Sequence, residues 1–502
     1  MAKENNSNEI IQTTKELSTD FNGSDEIAII LAAGHGKRIK SQRSKMLHKI
    51  WEVPTVERVY RACKTGIEKC NTVIVVGIKA LDVMKVIGKR ESNKFAYQKE
   101  QNGTGHAVQV ALEVIPDSVK DGIVYVLPGD MGLLDAATMK KFREDFLQSG
   151  NDMMVLTGIY KGDPKQNYYG RIVRVKEKTI DGKSSGEDFG KVIEIIEYKD
   201  ILALSDEALY IVEYKKKKYS FTKTELLEIN EFNSGVYAFK YSKLRELIGN
   251  LTSDNVQNEI YITDLIYLFN QKGYSVGAVS PEEDYVVMGF NDKSVLKEME
   301  SIARRKIYER LKNIIEIADP DDFFIHEKVV EQIEEMDKKG VPLDIKVGKG
   351  AYIGENVKLN YNIDFGRATY VDGNVIFGKN VKLWLTVHLS CFPNQKLIIG
   401  DNVEILWGDI IKGNIVIGDN SRIESSVNMT GSDEYPLRIG KNVLIKGTSY
   451  LFGSIVEDGL FIEHSVLVKK KVKAVKDKNG NIKPVRYFIP KPEGEDLLEE
   501  ID

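Results

Sequence analysis

Residues 27–38 have the sequence Ile-Ala-Ile-Ile-Leu-Ala-Ala-Gly-His-Gly-Lys-Arg, in which a short apolar run ends in a glycine-containing loop. A run of this length predicts a buried strand, and similar runs follow at residues 72–77 and 123–128. Segments with helical spacing, such as residues 55–67, separate these runs. Buried strands separated by helices are typical of a mostly parallel sheet covered on both faces. We therefore expect an α/β domain whose ligands lie at the carboxyl ends of its strands.

The loop after the first strand has the composition of a phosphate-binding loop. Its glycines let backbone N–H groups approach phosphate oxygens, and Arg38 and Lys45 add cationic donors. It is not a P-loop, because Gly36-Lys37 is followed by arginine rather than serine or threonine. It is not a dinucleotide-binding fingerprint either, because position 39 lacks the third glycine. A simple glycine turn remains the alternative interpretation of the loop taken alone.

Polar residues follow later strands in the same way. Residues 98–107 have the sequence Gln-Lys-Glu-Gln-Asn-Gly-Thr-Gly-His-Ala, and Gly129-Asp130 ends the run at 123–128. A glutamine amide offers both a donor and an acceptor, as the imide edge of a base requires. A carboxylate at the carboxyl edge of a sheet suits Mg²⁺, which takes few protein ligands and prefers oxygen.

A second kind of sequence begins near residue 340, where one short unit recurs five times. Each unit has an aliphatic or aromatic residue, then glycine, then two polar residues; the units begin at Ile353, Phe377, Ile399, Ile417 and Ile439. This is the hexapeptide signature of a parallel β-helix, in which glycine or asparagine permits the unusual dihedral angles of the corners. Such domains are stiff and often oligomeric, so we expect a homo-oligomer, with a trimer favoured.

Taken together, these strings resemble the sugar nucleotidyltransferase family. Residues 31–54 resemble its opening pattern, roughly LAAG-x-G-x-R-M-x-S-x-x-P-K-x-L, and Leu47-His48 is typical of the uridylyltransferase half of a bifunctional uridylyltransferase/acetyltransferase branch. Residues 98–107 resemble Q-x-x-Q-x-G-T-G-H-A. Weaker resemblances follow in the family's order at residues 169–172, 196–200, 231–236 and 259–264. The departures are Ser44 and Gly132 in place of proline, Lys37 in place of threonine and Tyr168 in place of glycine.

The resemblance implies a reaction in which a sugar-1-phosphate attacks the α-phosphorus of a nucleoside triphosphate and releases pyrophosphate. The implied substrates are UTP and N-acetylglucosamine-1-phosphate, and the implied cofactor is Mg²⁺. Residue by residue, the resemblance implies catalytic roles for Arg38 and Lys45, nucleotide binding by Ala32, Ala33, Gly34, Gln98, Gly103 and Thr104, sugar binding by Gly170, Glu197, Asn233 and Thr263, and metal binding by Asp130 and Asn291.

Two alternatives stay open. One keeps the reaction but changes the sugar or the nucleotide, for example to glucose-1-phosphate. The other is a non-catalytic nucleotide-sugar sensor or scaffold, against which the retention of Arg38, Lys45, Asp130 and Asn291 argues. The strings that supply the acyl-CoA site in the family's acetyltransferase half are not found, so acetyltransferase activity is not expected.

These patterns divide the 502 residues into five segments. They are a flexible N-terminal arm (1–25), a Rossmann-like nucleotidyltransferase domain (26–290) with a charged insertion at about 173–226, a connecting helix and linker (291–340), a left-handed parallel β-helix (341–470), and a hairpin with an acidic tail (471–502).

The bulk composition narrows the class of partner. A net charge of −4 gives no basic surplus for a nucleic-acid partner. No run approaches the roughly 18 apolar residues that a membrane span needs, and no secretory signal is visible at the N-terminus. The three cysteines form no disulfide or metal-binding pattern. We therefore expect a cytoplasmic protein with small-molecule substrates.

Overall fold

The computed structural model describes residues 2–34, 39–164 and 167–490. The chain forms two compact units, Met1–Glu300 (unit 1) and Ser301–Asp502 (unit 2).

Unit 1 is built on a mostly parallel sheet, as the sequence predicts. The strands of the unit are β1 (Glu26–Ala32), β2 (Lys49–Ile50), β3 (Val53–Pro54), β4 (Asn71–Val76), β5 (Asn93–Tyr97), β6 (Ile123–Pro128), β7 (Met153–Ile159), β8 (Arg171–Arg174), β9 (Val192–Ile196), β10 (Tyr210–Tyr214), β11 (Lys217–Phe221), β12 (Glu231–Lys240) and β13 (Val276–Val279). Among the described residues the sheet has the order β13-β7-β12-β6-β1-β4-β5, with β8 attached to β12 and β9 attached to β8. Strand β1 pairs in parallel with both β4 and β6, so its carboxyl end lies in the middle of the sheet.

Helices cover both faces of this sheet. They are α1 (Ala2–Leu17), α2 (Thr55–Gly66), α3 (Ala80–Ile87), α4 (Thr104–Leu112), α5 (Ala136–Ser149), α6 (Tyr198–Ala203), α7 (Lys223–Glu228), α8 (Tyr241–Leu247) and α9 (Leu265–Lys272), followed by α10 (Lys293–Leu311) in the expected connecting segment. Successive residues of β1 enter two different apolar clusters, Ala28 and Ile30 on one face and Ile27 and Ile29 on the other. Because both faces are buried, the strand is apolar throughout rather than alternating.

The segment 1–25, expected to be a flexible arm, instead contains helix α1. Its polar sequence includes a sparse apolar stripe, and Ile10 on that stripe is buried. After the helix, the Thr19 N–H donates to the Asn93 carbonyl at 2.7 Å, and Ser18 Oγ accepts from the Phe95 N–H at 3.0 Å. The segment therefore satisfies backbone groups of β5, the edge strand of the sheet, which would otherwise be unpaired.

The charged insertion at 173–226 forms strands of its own. Strands β8 and β9 pair with each other, while β10 and β11 form an antiparallel hairpin. Lys215 and Lys216 make its turn with φ angles of 47° and 65°, so part of the lysine run is a tight hairpin turn. A separate apolar cluster that includes Val212, Tyr219 and Leu226 packs the hairpin against the rest of the insertion.

Unit 2 is a parallel β-helix, as predicted. It contains α11 (Glu327–Asp337) and the strands β14 (Glu316–Ile317), β15 (Phe324–Ile325), β16 (Lys346–Val347), β17 (Tyr352–Ile353), β18 (Ile363–Phe365), β19 (Tyr370–Asp372), β20 (Val375–Phe377), β21 (Val381–Leu383), β22 (His388–Ser390), β23 (Leu397–Ile399), β24 (Glu404–Ile405), β25 (Ile410–Gly413), β26 (Ile415–Ile417), β27 (Arg422–Ile423), β28 (Asn428–Gly431), β29 (Leu437–Ile439), β30 (Leu444–Lys446), β31 (Tyr450–Phe452), β32 (Ile455–Val456), β33 (Phe461–Glu463), β34 (Val466–Val468), β35 (Lys471–Val472) and β36 (Val485–Arg486). In the described part of the unit these strands stack into three parallel sheets of nine, eight and six strands.

The repeated unit explains the corners of the coils. Its asparagine adopts a left-handed conformation, with φ of 58° at Asn380, 57° at Asn402 and 58° at Asn420. The side chains of these residues form a ladder, in which Asn380 Nδ2 donates to Asn402 Oδ1 at 2.8 Å and Asn402 Nδ2 donates to Asn420 Oδ1 at 2.9 Å. Asparagine therefore both tolerates the corner and links successive coils.

The segment predicted to be a hairpin after residue 470 is a short one. Lys476 and Ile482 form an antiparallel bridge around a turn with Gly480 at φ 85°. The strands on either side, β35 and β36, belong to different sheets of the β-helix. The acidic end of the tail, residues 491–502, lies outside the described residues. Within the described ranges, no helix has both the length and the apolar character that crossing a membrane requires.

Candidate active site

The carboxyl ends of β1 and β6 lie side by side because these strands pair in parallel, with Leu31 opposite Pro128. The Gly129 N–H donates to the Leu31 carbonyl at 2.9 Å, and a side chain at Gly129 would begin only 3.0 Å from Met46 Sδ. This close packing places Asp130 directly beside the loop that follows β1.

The predicted nucleotide-binding residues of that loop differ in exposure. Ala32 and Ala33 are buried, whereas Gly34 is exposed, and no atom of the described residues lies within 4 Å of the position of its β-carbon. The backbone at Gly34 is therefore open to a ligand. Arg38, predicted to be catalytic, lies outside the described residues.

Lys45 contacts both residues predicted to bind the metal. Its ammonium group forms an ion pair with Asp130 and donates a hydrogen bond to Asn291 Oδ1 at 3.1 Å. It also lies 5.4 Å from the centre of the Phe290 ring. Only 13% of the Lys45 side chain and 10% of the Asp130 side chain are exposed. Residues from three distant parts of the sequence therefore meet at one point.

Two departures from the family pattern have different local settings. Ser44, in the position of a proline, precedes the short 3-10 helix Lys45–Leu47 with φ −55°, an angle that proline also adopts. Gly132, in the position of another proline, has no room for a side chain, because a β-carbon would lie 2.6 Å from Ile50 Cδ1 and 2.8 Å from Thr55 Cγ2.

The loop predicted to bind the nucleotide base is fixed by its own hydrogen bonds. Gln98, which follows β5, donates through Nε2 to the Gly103 carbonyl at 3.0 Å and lies 3.2 Å from His106 Nδ1. Gly103 has φ 107°, and a side chain there would meet the Ile260 carbonyl at 2.5 Å. Thr104 Oγ1 accepts a hydrogen bond from the Ile262 N–H at 3.2 Å. The predicted base-binding loop thus packs directly on residues 259–264.

Three of the four predicted sugar-binding residues lie together. The Gly170 carbonyl accepts from the Asn233 N–H at 2.9 Å, and a side chain at Gly170 would begin 3.1 Å from Glu197 Oε1. Asn233 Oδ1 accepts hydrogen bonds from the Gly235 N–H and the Tyr237 hydroxyl, both at 2.9 Å. Its Nδ2 is left without a partner among the described residues, so it is a donor available to a ligand.

Thr263, the fourth predicted sugar-binding residue, lies in the short 3-10 helix Ile262–Asp264. Its hydroxyl is buried and has no hydrogen-bond partner within the part of the chain that the structure describes. The neighbouring Ile262 N–H bonds the predicted base-binding loop, so this helix links the two predicted subsites.

Several carboxyl groups around the predicted sugar subsite have pKa values raised toward neutral pH. Burial raises the pKa of Glu197 to about 7, and the nearby charges of Asp200, Asp264 and Glu259 add to the shift. Burial also raises the pKa of Asp264 to about 6 and that of Glu194 to about 7. Like charges that are drawn together in a dry pocket disfavour ionisation of one another.

The structure adds residues that the sequence did not single out. The Tyr169 hydroxyl donates to the Gly289 carbonyl at 3.0 Å, and burial together with the charge of Asp130 raises its pKa to about 12. Arg171 is fully buried and donates to the carbonyls of Tyr169 and Asn167, which fixes the chain before β8. The signal was present in the string at 169–172, but only its glycine was assigned a role.

The Glu194–Tyr210 pair was also missed. The Tyr210 hydroxyl, on the inserted hairpin, donates to Glu194 Oε1, and Glu194 lies near Asp264. No string of the family covers this contact, because both partners belong to the charged insertion at 173–226.

Comparisons with known proteins identify the family of the chain. A family model described as a MobA-like NTP transferase domain matches residues 28–177. The bifunctional protein GlmU of Acetivibrio thermocellus is 33% identical over 404 residues, covering 76% of this chain and 77% of that protein. GlmU of Clostridioides difficile is 33% identical over 381 residues, covering 75% and 74% of the two chains. A solved UDP-glucose pyrophosphorylase complexed with UDP-glucose covers 56% of this chain and 99% of its own at 15% identity, and its TM-score of 0.37 supports no conclusion about function.

The fold and the sequence matches define a sugar nucleotidyltransferase. Within that class, the chain belongs to the family of the bifunctional protein GlmU. The match to the Acetivibrio protein spans more of the chain than Met1–Glu300, so the similarity extends into the β-helix unit.

Proposed function

We propose that the protein transfers the uridylyl group of UTP to N-acetylglucosamine-1-phosphate, with Mg²⁺ as cofactor, and releases pyrophosphate. The observation that carries this proposal is the convergence of Lys45, Asp130 and Asn291 beside the open backbone at Gly34. A protein that only bound a nucleotide sugar would not need a cation and two oxygen ligands at one point of the nucleotide loop.

Asp130 and Asn291 fit a hard divalent cation. Their side-chain oxygens already face a single cation, the Lys45 ammonium, so they are spaced to share one positive charge. Carboxylate and amide oxygens are the ligand types that Mg²⁺ accepts, and phosphate oxygens and water complete its coordination. Bound here, Mg²⁺ would offset negative charge that develops on the phosphates during transfer.

The side chains need only position the reactants and balance charge. An oxygen of the sugar-1-phosphate attacks the α-phosphorus in line, a new O–P bond forms, and the bond from the α-phosphorus to the β-phosphate oxygen breaks. The attacking oxygen is already ionised, so no general base is required. Lys45 supplies positive charge to the reacting phosphates, and the backbone N–H groups of the glycine loop orient them.

The predicted sugar subsite supplies both kinds of hydrogen-bonding group. Glu197 accepts from sugar hydroxyls when it is ionised, and Asn233 Nδ2, which has no partner within the described ranges, can donate. Gly170 leaves the space in front of Glu197 open, because any side chain there would begin 3.1 Å from the carboxylate. The buried hydroxyl of Thr263 offers one further group that a ligand could satisfy.

The β-helix serves in this proposal as a structural and oligomerising module, with a homotrimer as the expected state. The support is the lack of the family's acetyltransferase strings in the sequence after residue 340. Incubation of the protein with acetyl-CoA and glucosamine-1-phosphate tests this part. Formation of N-acetylglucosamine-1-phosphate would overturn it.

Pyrophosphate release from Mg²⁺ and UTP, measured against a panel of sugar-1-phosphates, tests the main proposal. Release with N-acetylglucosamine-1-phosphate is the expected result. Release only with glucose-1-phosphate or another sugar would keep the reaction and correct the sugar, and release with another nucleotide would correct the base. Binding of nucleotide sugar without any release would favour a sensor or scaffold.

A further inference from the structure

The Lys45 ammonium occupies the point at which the proposed metal ligands converge. It forms an ion pair with Asp130 and donates to Asn291 Oδ1 at 3.1 Å, so it uses one oxygen from each of the two side chains. The exposed fraction of the Lys45 side chain is only 13%, which shows that the ammonium is held inside the site.

We infer that Lys45 is a resident counter-cation that the divalent metal ion must displace, and that this displacement delivers its ammonium group to the substrate phosphates. The inference rests on the proposed function, because it assumes that Asp130 and Asn291 bind the metal. It assigns Lys45 two successive partners. These are Asp130 and Asn291 before the metal binds, and a substrate phosphate afterwards.

The buried Asp130 carboxylate needs one positive charge beside it. Asp130 is 7% exposed, and a buried carboxylate without a partner is costly, so a cation must accompany it in the absence of metal. An ammonium and a divalent cation repel strongly at the separation that two shared oxygens would impose. The site therefore holds one or the other at these two oxygens, and metal binding must release Lys45.

The released ammonium has a short path to the expected phosphate position. Lys45 begins the 3-10 helix Lys45–Leu47, and the carboxyl end of β1, where Gly34 presents open backbone, lies next to Asp130 in the sheet. The lysine chain is long and has three rotatable donors, so its tip can change partners while its backbone stays in place. Until metal arrives, the same lysine is held away from the phosphates.

The test measures Mn²⁺ affinity of the full chain without nucleotide, by electron paramagnetic resonance of the free ion. Lys45→Met removes the competing cation and is expected to tighten Mn²⁺ binding by about tenfold or more, which corresponds to the loss of one favourable ion pair. Lys49→Met is the matched control, because Lys49 is exposed and pairs with Glu52 at 2.8 Å. An affinity of Lys45→Met no tighter than that of wild type, or equal to that of Lys49→Met, would overturn the inference.

Asp130→Ala separates this inference from the proposed function. If Asp130→Ala binds Mn²⁺ as well as wild type does, the proposed metal site is wrong. If Asp130→Ala loses binding while Lys45→Met leaves it unchanged, the metal site stands and the displacement is wrong.

A measurement on the wild-type chain covers the case in which Lys45→Met does not fold. Acetylation of Lys45 by an amine-reactive ester, followed by mass spectrometry, reports how freely the ammonium reaches solvent. Mg²⁺ is expected to accelerate acetylation of Lys45 by several-fold and to leave that of Lys49 unchanged. Equal rates for Lys45 with and without Mg²⁺ would contradict the displacement.

Discussion

Two buried aspartates, one in each unit, are held in opposite ways. Asp130 in unit 1 forms an ion pair with Lys45, whose ammonium also bonds Asn291. Asp409 lies fully buried inside the β-helix, where its Oδ1 accepts from the Val427 N–H at 2.8 Å. Its Oδ2 has no hydrogen-bond partner within the described ranges. Burial raises the pKa of Asp409 to about 8, and the backbone N–H groups around it only partly oppose that rise.

The two aspartates show that burial of a carboxyl group does not by itself indicate a functional role. A carboxyl group that is to bind a cation must stay ionised, so it needs a counter-ion whenever its ligand is away. A carboxyl group in an apolar core keeps its proton instead and acts as a weakly polar filler. A perturbed pKa therefore does not by itself mark the active site; the charge partner and the position at the carboxyl edge of a sheet do.

The largest expected effect comes from removing Asp130, the proposed metal ligand. Asp130→Ala deletes a proposed metal ligand, so turnover measured by pyrophosphate release should fall by at least about 10²- to 10³-fold. The circular dichroism spectrum should stay close to that of wild type, because Lys45 keeps Asn291 as a partner. Asp117→Ala, at a side chain that is 99% exposed, is the matched control. Wild-type turnover in Asp130→Ala would remove this residue from the mechanism.

The structural aspartate should instead affect stability, and in a pH-dependent way. Between about pH 4 and pH 8 the folded chain keeps the Asp409 proton that the unfolded chain loses. The free energy of unfolding should therefore fall as the pH rises through this window, by up to about 1.4 kcal/mol per pH unit. Asp409→Asn cannot titrate, so it should remove this slope and become more stable relative to wild type at pH 8 than at pH 5.

Denaturant unfolding at several pH values, followed by tryptophan fluorescence, measures this effect. Two of the three tryptophans, Trp384 and Trp407, lie in unit 2, so the signal reports mainly on the β-helix. Asp344→Asn is the control, because Asp344 is exposed and its φ of 49° suits asparagine equally well. A pH slope unchanged by Asp409→Asn would show that Asp409 is ionised in the folded chain.

The sequence predicted the β-helix better than it predicted the site, for a physical reason. Each coil repeats the same local contacts, so one short unit carries the information, as the corner residues Asn380, Asn402 and Asn420 show. The glycine loop and Asp130 were each predicted to follow a strand at its carboxyl end, and the parallel pairing of β1 and β6 puts those two ends side by side. That Lys45 bonds Asn291, 246 positions away, could not be predicted, since nothing local specifies side-chain partners.

The missed features share a cause. The segment after helix α1 pairs with the edge strand β5 through backbone groups of Thr19 and Asn93, and such contacts leave no pattern in the sequence. The Glu194–Tyr210 pair joins β9 to the hairpin of the same insertion, so it depends on how that hairpin packs. Asp409 follows Gly408 on a corner, where a polar residue suggests an exposed turn, yet its side chain points into the core.

Glu197 shares a raised pKa with Asp409 and a place in a proposed binding site with Asp130. Its substitution should therefore have an effect of intermediate size. Burial raises its pKa to about 7, so its ionised fraction decreases as the pH falls from 8 to 6. The KM for the sugar-1-phosphate should rise over this range, by up to about tenfold per pH unit at the acidic end. Glu197→Gln should have a higher KM at pH 8 and a flatter pH profile.

Comparison with Glu197→Gln also corrects for titration of the substrate phosphate, because that titration affects the wild type and the variant equally. The KM ratio between pH 6 and pH 8 should be larger for wild type than for Glu197→Gln. Equal ratios would show that the pH dependence comes from the substrate alone and that Glu197 does not bind the sugar as a carboxylate.

The smallest expected effect comes from substitution of Ser44, which is a buried polar residue without a charge. Its hydroxyl is buried and has no hydrogen-bond partner in the described part of the chain, and its φ of −55° is one that proline adopts. Ser44→Pro should raise the free energy of unfolding by about 0.5–1 kcal/mol, because it restricts the unfolded chain and removes an unsatisfied polar group. Ser44→Ala, which removes the hydroxyl without restricting the backbone, separates the two contributions in the same denaturant titration. If Ser44→Pro is less stable than Ser44→Ala, the backbone before Lys45 cannot accept proline. The loop would then require a residue other than proline at position 44.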